Sequence, residues 1–164
     1  MLLFLKNLVF TLVVPATVAG YVPWLIVRGQ PIDSLGRLIT SLILFAVGGT
    51  IYLWCVWDFA SFGRGTPAPI DAPKRLVVRG LYQYTRNPMY VGVLTVIAGW
   101  AVLSPTLTLL LYGLCIGGAF QLFIVLYEEP HLRRAFGMEY EQYCARVGRW
   151  LTVSSSAHPP SSRN

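Results

Sequence analysis

The chain has 164 residues, of which 55% are hydrophobic and only 12% are charged. Soluble domains carry about 25% charged residues, so this composition excludes an ordinary soluble domain and predicts an integral membrane protein. The net charge of +6 comes from basic residues between apolar segments, which indicates membrane topology rather than a nucleic-acid partner.

Four apolar segments are candidates for transmembrane helices, each of which takes about 20 residues. In chain order they cover residues 2–27, 35–62, 89–103 and 106–127. We therefore predict an all-α membrane protein with about four transmembrane helices. Only Ser104, Pro105 and Thr106 join the third helix to the fourth, so these two are expected to form a C-terminal helical hairpin.

The first two segments contain features that need an explanation. Pro15, Gly20 and Pro23 interrupt the first segment, and we expect kinks there. We interpret it as an uncleaved helix rather than a signal peptide, because Lys6 interrupts its start and the apolar run continues for many residues. Asp58 lies near the end of the second segment, and we interpret it as a solvated helix end rather than a catalyst.

The distribution of basic residues predicts the orientation. With four spans, all of the 13 lysines and arginines except Arg28 and Arg37 lie on the side of the N-terminus. The positive-inside rule then places both termini in the cytoplasm. Two polar segments share that side, the loop 63–88 and the segment that begins at Glu128.

The segment that begins at Glu128 is expected to form an amphipathic helix on the cytoplasmic side. Its apolar residues recur every three or four positions, which is the spacing of one helical face. They are Leu132, Phe136, Tyr140, Tyr143, Val147 and Trp150. Such a helix can lie on the membrane or cover a site at its surface.

The stretch "GLYQYTRNPMYVG", residues 80–92, opens the third span. Pro88 disfavours helical geometry at Asn87 and is suited to the first position of a helix. Free N–H groups at that helix start suit an anion, and the tyrosines offer ring faces to a cation or an adenine. An interfacial belt of aromatic residues, with an arginine at the headgroups, accounts for the same residues.

The acidic pair Glu128 and Glu129 admits two interpretations. Pro130 can start a new helix, before which two carboxylates are electrostatically favourable. Alternatively, they hold a cationic group where water meets lipid, since unpaired carboxylates near hydrocarbon are costly. The three cysteines form no CxxC pair and there are only two histidines, so we expect neither a disulfide framework nor a metal site.

Together these motifs resemble the isoprenylcysteine carboxyl methyltransferase family, which is akin to the membrane phospholipid N-methyltransferases. The resemblance rests on "LVVRGLYQYTRNPMYVG", a helical hairpin and "EEPHLRRAFGMEYEQYCARVGRW", in that order. It covers about residues 74–150. It implies S-adenosylmethionine as the methyl donor, a lipophilic or prenylated acceptor, and an active site facing the cytoplasm.

The resemblance also implies site residues. The family segment that contacts the cofactor matches Lys74, Arg75, Leu76 and Val77, and a further cofactor-binding tyrosine matches Tyr82. The family's Arg-His-Pro-x-Tyr element matches Arg86, Asn87, Pro88, Met89 and Tyr90, and its acidic pair matches Glu128 and Glu129. Asn87 to Tyr90 and Glu128 are expected to bind the cofactor. Arg86 and Glu129 are the predicted catalytic residues.

Two departures from the family bear on the acceptor. The family's histidine is Asn87 here, and the eukaryotic enzymes' arginine before the acidic pair is absent from "QLFIVLY". A carboxylate acceptor needs no base, whereas an amine acceptor must lose a proton; for that role Glu129 is the candidate. The prenylcysteine carboxylate is the first expectation, and a phospholipid amine is the alternative. A reductase with a nicotinamide cofactor and a non-catalytic membrane binding protein are further alternatives.

The sequence thus divides into three parts: two N-terminal transmembrane helices (1–62), a methyltransferase core (63–150) and a tail (151–164). The tail has no apolar periodicity and is expected to be disordered. The sequence does not indicate the oligomeric state.

Overall fold

The computed structural model describes residues 12–59, 61 and 76–150, and every element within these ranges is helical. We number the helices α1 (Leu12–Val27), α2 (Leu35–Asp58), α3 (Pro88–Leu103), α4 (Leu107–Phe123), α5 (Glu129–Phe136) and α6 (Met138–Arg146). A 3₁₀ turn, Gly80–Gln83, precedes α3, and a π-helical turn, Ile124–Glu128, joins α4 to α5. The expected all-α fold is confirmed, and the predicted tail lies outside the described residues.

Two helices are long and apolar enough to cross a membrane. One is α2, and the other is the continuous helix Leu107–Phe136, which runs from α4 through the π-helical turn and α5. Helices α1 and α3 are apolar but shorter. The helix therefore continues through the acidic pair, and Pro130 stands in the first turn of α5 within this continuous helix rather than at the start of a separate one.

The irregular part of α1 is fastened by side chains of other helices. Pro23 has no N–H, so the Ala19 carbonyl loses its usual helical donor; it accepts a hydrogen bond of 2.8 Å from Trp100 Nε1. The Val22 N–H donates to the Thr17 carbonyl across a π-helical turn. The Val18 carbonyl therefore lacks its usual helical donor, and it accepts a hydrogen bond of 2.6 Å from the Tyr112 hydroxyl. The predicted distortion of this helix thus anchors it to α3 and α4.

Helices α2 and α3 pack with their backbones in close approach. A Cβ atom added to Gly48 would lie 2.6 Å from the Gly92 carbonyl oxygen, and one added to Gly92 would lie 2.9 Å from the Gly48 oxygen. Small residues allow such contact between helices in membranes. This crossing fixes the position of α2 against the helix that begins with the motif Arg86–Tyr90.

The C-terminal segment is two helices rather than the single amphipathic helix predicted. Gly137 breaks it with a φ of 50°, a conformation that favours glycine. The apolar face is still formed, because Tyr140, Tyr143 and Val147 are buried together and Leu132 and Phe136 pack against them. Trp150 is not part of this cluster. Its indole N–H donates to Gln121 Oε1 on α4 at 2.9 Å.

Candidate functional site

The start of α3 meets the end of α4 through Tyr90 and Glu128. The Tyr90 hydroxyl donates a hydrogen bond of 3.0 Å to Glu128 Oε2. The Tyr90 ring also packs on Phe120, with 4.7 Å between the ring centroids. The motif and the acidic pair, which the sequence analysis assigned to the same side of the membrane, are therefore in contact in the structure.

The π-helical turn explains how Phe120 and Glu128 both reach Tyr90. In this turn the Glu129 N–H bonds to the Ile124 carbonyl, five residues back, so the helix rotates less per residue than an α-helix. In an uninterrupted α-helix at 3.6 residues per turn, eight residues would leave Glu128 well to one side of Phe120. The wider turn brings them onto one face, and π-helical turns are frequent at functional sites.

The break before α3 follows the sequence prediction. Asn87 is non-helical and Pro88 stands at the first position of the helix. The Asn87 N–H donates to Thr85 Oγ1 at 3.2 Å, which closes the turn locally.

The same turn is joined to the end of the C-terminal segment. The Asn87 side-chain amide donates to the Arg149 carbonyl at 2.9 Å, and the Thr85 hydroxyl donates to the same oxygen at 3.1 Å. The Arg86 N–H donates to the Gly148 carbonyl at 3.0 Å. Asn87, which stands where the resembling family has a histidine, therefore fastens residues 148–149 over the motif.

Glu129 is the centre of a cluster of charges. It is 5% exposed and accepts two hydrogen bonds from Arg149, at 2.7 and 3.1 Å. Arg86 Nη1 lies 3.2 Å from Glu129 Oε1, and Arg133 lies 4.0 Å from Oε2. The hydrogen bond with Glu129 raises the pKa of Arg149. Both oxygens of this carboxylate thus already face guanidinium groups.

Arg86 is largely enclosed. Its Nη1 donates to Cys144 Sγ at 2.8 Å and to the Tyr140 hydroxyl at 3.4 Å. Its Nε is buried and has no hydrogen-bond partner among the described residues. A buried N–H of a charged group without an acceptor is costly, and a carboxylate or another anion would satisfy it.

Tyr82 lies in the interior, between the motif turn and α2. It is 7% exposed, is buried with Cys55 and Val77, and has Met89 packed against this cluster. Its carbonyl accepts a hydrogen bond of 2.7 Å from the Tyr143 hydroxyl. Burial, followed by the neighbouring Cys55 and Glu128, raises the pKa of Tyr82 well above its ordinary value.

The phenols of α6 are also buried. Burial raises the pKa of Tyr143 and Tyr140, so both remain hydroxyl donors at neutral pH. Leu76 packs against their cluster rather than beside Val77 in the Tyr82 cluster. Of the predicted cofactor segment, Lys74 and Arg75 lie outside the described residues.

The aromatic-belt interpretation fits only part of the motif. Tyr84 is 68% exposed, as a belt residue would be, whereas Tyr82 is buried and Tyr90 is half-buried. The sequence analysis missed the ion pair of Arg149 with Glu129, because the spacing between these residues matches no recognisable pattern. It was wrong about Asp58, which is 2% exposed and is therefore not a solvated helix end.

Comparison with known proteins identifies the family of the chain. The family model for phospholipid methyltransferase (PEMT) matches residues 36–139, well over half of the chain, from the start of α2 into α6. No curated protein and no solved structure matches the chain. The matched family is the one to which the sequence resemblance was related. The chain therefore belongs to the phospholipid methyltransferase family.

Proposed function

We propose that this protein is an S-adenosylmethionine-dependent membrane methyltransferase whose acceptor is the amine of a lipid. Family membership supports methyl transfer. The observation that carries the assignment to this site is the junction of Tyr90 with Glu128, beside the buried Nε of Arg86, for which the described residues supply no acceptor.

The residues at this junction fit the proposed cofactor. S-adenosylmethionine supplies an activated methyl group on a sulfonium, next to an amino-acid part that carries a carboxylate and an ammonium group. Arg86 Nε is suited to the carboxylate, since it is a buried charged donor in need of an acceptor. Glu128 is suited to accept a hydrogen bond from a cationic or hydroxyl group of the cofactor. The Tyr90 ring is suited to contact a flat or cationic group of the cofactor.

The two predicted catalytic residues receive different roles in this proposal. Arg86 orients the cofactor or the acceptor through its unpaired Nε. Glu129 acts as a positioning residue rather than as the base, because Arg86 and Arg149 occupy its oxygens; the proton that the amine loses would pass to Glu128, the other carboxylate of the site. It holds Arg86 in place and fastens the C-terminal segment over the site.

The acceptor is proposed from chemistry. The matched family is described by phospholipid methylation, and the chain lacks the arginine linked to a prenylcysteine carboxylate in the enzymes it resembles. Methyl transfer mainly requires alignment of donor and acceptor and stabilisation of the changing charge. A half-buried site, which excludes water, favours both. A prenylcysteine-like carboxylate is the second candidate, favoured by the unpaired donor on Arg86.

We further propose that α1 and α3 also cross the membrane, giving four spans with the site on the cytoplasmic side. Helix α1 is fastened to α3 and α4 by the hydrogen bonds of Trp100 and Tyr112, so the three helices form one bundle. The site lies at the end of that bundle where Arg79, Arg86 and Arg149 occur, in agreement with the positive-inside rule.

Binding of labelled S-adenosylmethionine to the purified protein in lipid nanodiscs tests the function. We expect saturable binding in the wild type and a loss of at least about tenfold in affinity in Glu128→Ala, since hydrogen bonds to charged groups are among the stronger ones. Glu139→Ala, which makes the same change at an exposed glutamate of α6, is the matched control. Absence of saturable binding would overturn the proposal.

An acceptor screen then distinguishes the two candidates. Amine phospholipids and prenylcysteine analogues are offered separately with labelled cofactor, and the methylated product is identified by mass spectrometry. We expect methyl transfer to the amine lipids alone. Transfer to the prenylcysteine carboxylate alone would instead identify the second candidate as the acceptor.

A further inference from the structure

Gln121 is a polar side chain on an apolar helix, and the proposed mechanism does not use it. It belongs to α4, within the continuous helix Leu107–Phe136 that is long and apolar enough to cross a membrane. Its Oε1 accepts a hydrogen bond of 2.9 Å from the indole N–H of Trp150. Polar groups on such a helix are costly without partners, so each polar atom of this amide requires one.

Trp150 fixes the orientation of this amide. An indole N–H can only donate, so it faces the oxygen of the Gln121 side chain rather than the nitrogen. The nitrogen carries two N–H donors and makes no hydrogen bond with the described residues. Gln121 is half-buried as a whole, but this nitrogen is not enclosed by the protein. The two donors are therefore accessible to a molecule beside the helix.

The surface of α4 next to Gln121, toward the middle of the span, is open. Gly117 and Gly118 lie one helical turn before Gln121 and so on the same side of the helix. A Cβ atom added to Gly118 would meet nothing within 4 Å, and one added to Gly117 would meet only the Leu94 side chain, at 3.9 Å. The amide is thus followed by a shallow apolar surface, which suits an acyl chain.

Gln121 also lies close to the proposed site in the chain. Its neighbour Phe120 packs on Tyr90, with 4.7 Å between the ring centroids. Gln121 precedes Glu128 by two helical turns, or about 10 Å along the helix axis. In the proposed topology Glu128 is at the cytoplasmic end of this helix, so the amide lies deeper in the membrane than the site.

We propose that the amide nitrogen of Gln121 donates a hydrogen bond to an ester carbonyl oxygen of the acceptor phospholipid. This inference rests on the proposed function and makes Gln121 a positioning residue for the acceptor. The ester groups of a phospholipid lie between its headgroup and its acyl chains. With the amine at the site, they extend toward the middle of the membrane, which is the direction of Gln121 from Glu128.

The chemistry of the donor favours an ester over the phosphate of the same lipid. The Gln121 amide is neutral and suits a neutral carbonyl oxygen, whereas a phosphate is best matched by a guanidinium group. A hydrogen bond in apolar surroundings is also stronger than one in water. The bond would therefore select for a lipid whose chains are joined by ester groups.

Gln121→Met tests this bond, because methionine is similar in length and has no N–H donor. KM is measured for two amine phospholipids in detergent micelles, one with ester-linked chains and one with ether-linked chains, which has no carbonyl. We expect the wild type to have a KM about fivefold lower for the ester-linked lipid. The variant should lose this preference through a KM that is about fivefold higher for the ester-linked lipid, and should keep its affinity for S-adenosylhomocysteine.

Two control variants identify a merely structural role. Trp150→Phe removes the same hydrogen bond as Gln121→Met but leaves the amide nitrogen, so it should retain the preference for the ester-linked lipid. If it abolishes the preference as fully as Gln121→Met does, Gln121 acts only as an anchor for Trp150 and the inference is overturned. Gln142→Met makes the same substitution at an exposed position of α6 and should alter none of these values.

The remaining outcomes are also decisive. Equal KM values of the wild type for the two lipids, or a preference that persists in Gln121→Met, overturn the inference and leave the proposed function in place. Lack of methyl transfer by the wild type to either lipid overturns the proposed function with it. The comparison of the two lipids in the wild type requires no variant, so it decides the question even if Gln121→Met fails to fold.

Discussion

The hydroxyl of Tyr90 donates to the carboxylate of Glu128 at 3.0 Å, which joins the first turn of α3 to the π-helical turn after α4. These residues are 38 positions apart in the chain and belong to the two motifs that the sequence analysis selected independently. The contact makes the two helices of the hairpin one unit at the proposed site.

Tyr90→Phe tests this contact with little change in packing, because the phenylalanine ring can still lie on Phe120. We expect cofactor affinity to fall, since Glu128 is left half-buried without its donor, and unfolding free energy to fall by about 1–3 kcal/mol. Equilibrium binding and denaturant titration in detergent measure the two effects. Tyr21→Phe, which makes the same change at an exposed tyrosine of α1, should change neither; equal losses in both variants would contradict a specific role for Tyr90.

Asn87→Asp is expected to be more harmful than Asn87→Ala. The asparagine amide donates to the Arg149 carbonyl, whereas an aspartate would place a buried negative oxygen against that carbonyl oxygen. Alanine only removes the bond, and the Thr85 hydroxyl still donates to the same carbonyl. We expect losses of about 1 kcal/mol for alanine and about 3 kcal/mol for aspartate, measured by denaturant titration at neutral pH. The reverse order would show that this amide does not hold the C-terminal segment.

Glu129→Gln tests the positioning role of the acidic cluster. It leaves Arg86 and Arg149 close together without their shared anion, and breaking a buried ion pair costs about 3–5 kcal/mol. The lower end of that range applies because the Arg149 side chain is 33% exposed. Protease sensitivity of the C-terminal segment should rise in parallel with the loss of unfolding free energy.

The control for that experiment is Arg133→Gln. Arg133 also faces Glu129, but at 4.0 Å and with a side chain that is 48% exposed, and its shorter ion pair, at 2.8 Å, is with Glu141. We therefore expect a much smaller loss of stability than in Glu129→Gln. If Glu129→Gln were as mild as Arg133→Gln but abolished methyl transfer to an amine, Glu129 would be the base after all.

The sequence predicted what depends on local rules. Pro88 starts α3 because its fixed φ suits the first helical position, and the apolar residues around Tyr140 cluster because they share a helical face. The burial of Asp58 was missed, because it depends on where residues 76–80 return along α2. The alignment of Glu128 with Phe120 was missed for a similar reason, since a π-helical turn has no recognisable residue pattern.

The last prediction concerns the contact that holds α2 against the site. Gly48→Ala would place a Cβ atom 2.6 Å from the Gly92 carbonyl oxygen, so the two helix backbones must separate. Such overpacking costs about 1–3 kcal/mol, despite the better helix propensity of alanine. Gly49→Ala adds the same methyl group one residue later, where nothing lies within 4 Å, and should be neutral or stabilising.

Separation of α2 from α3 also has a functional consequence that can be measured. Helix α2 carries Cys55 to Tyr82, so a shift at Gly48 should lower cofactor affinity although this glycine is far from the site along the helix. Denaturant titration and cofactor binding of Gly48→Ala and Gly49→Ala, compared in the same nanodiscs, measure both effects. Unchanged affinity in a destabilised Gly48→Ala would mean that the motif turn holds its position without α2.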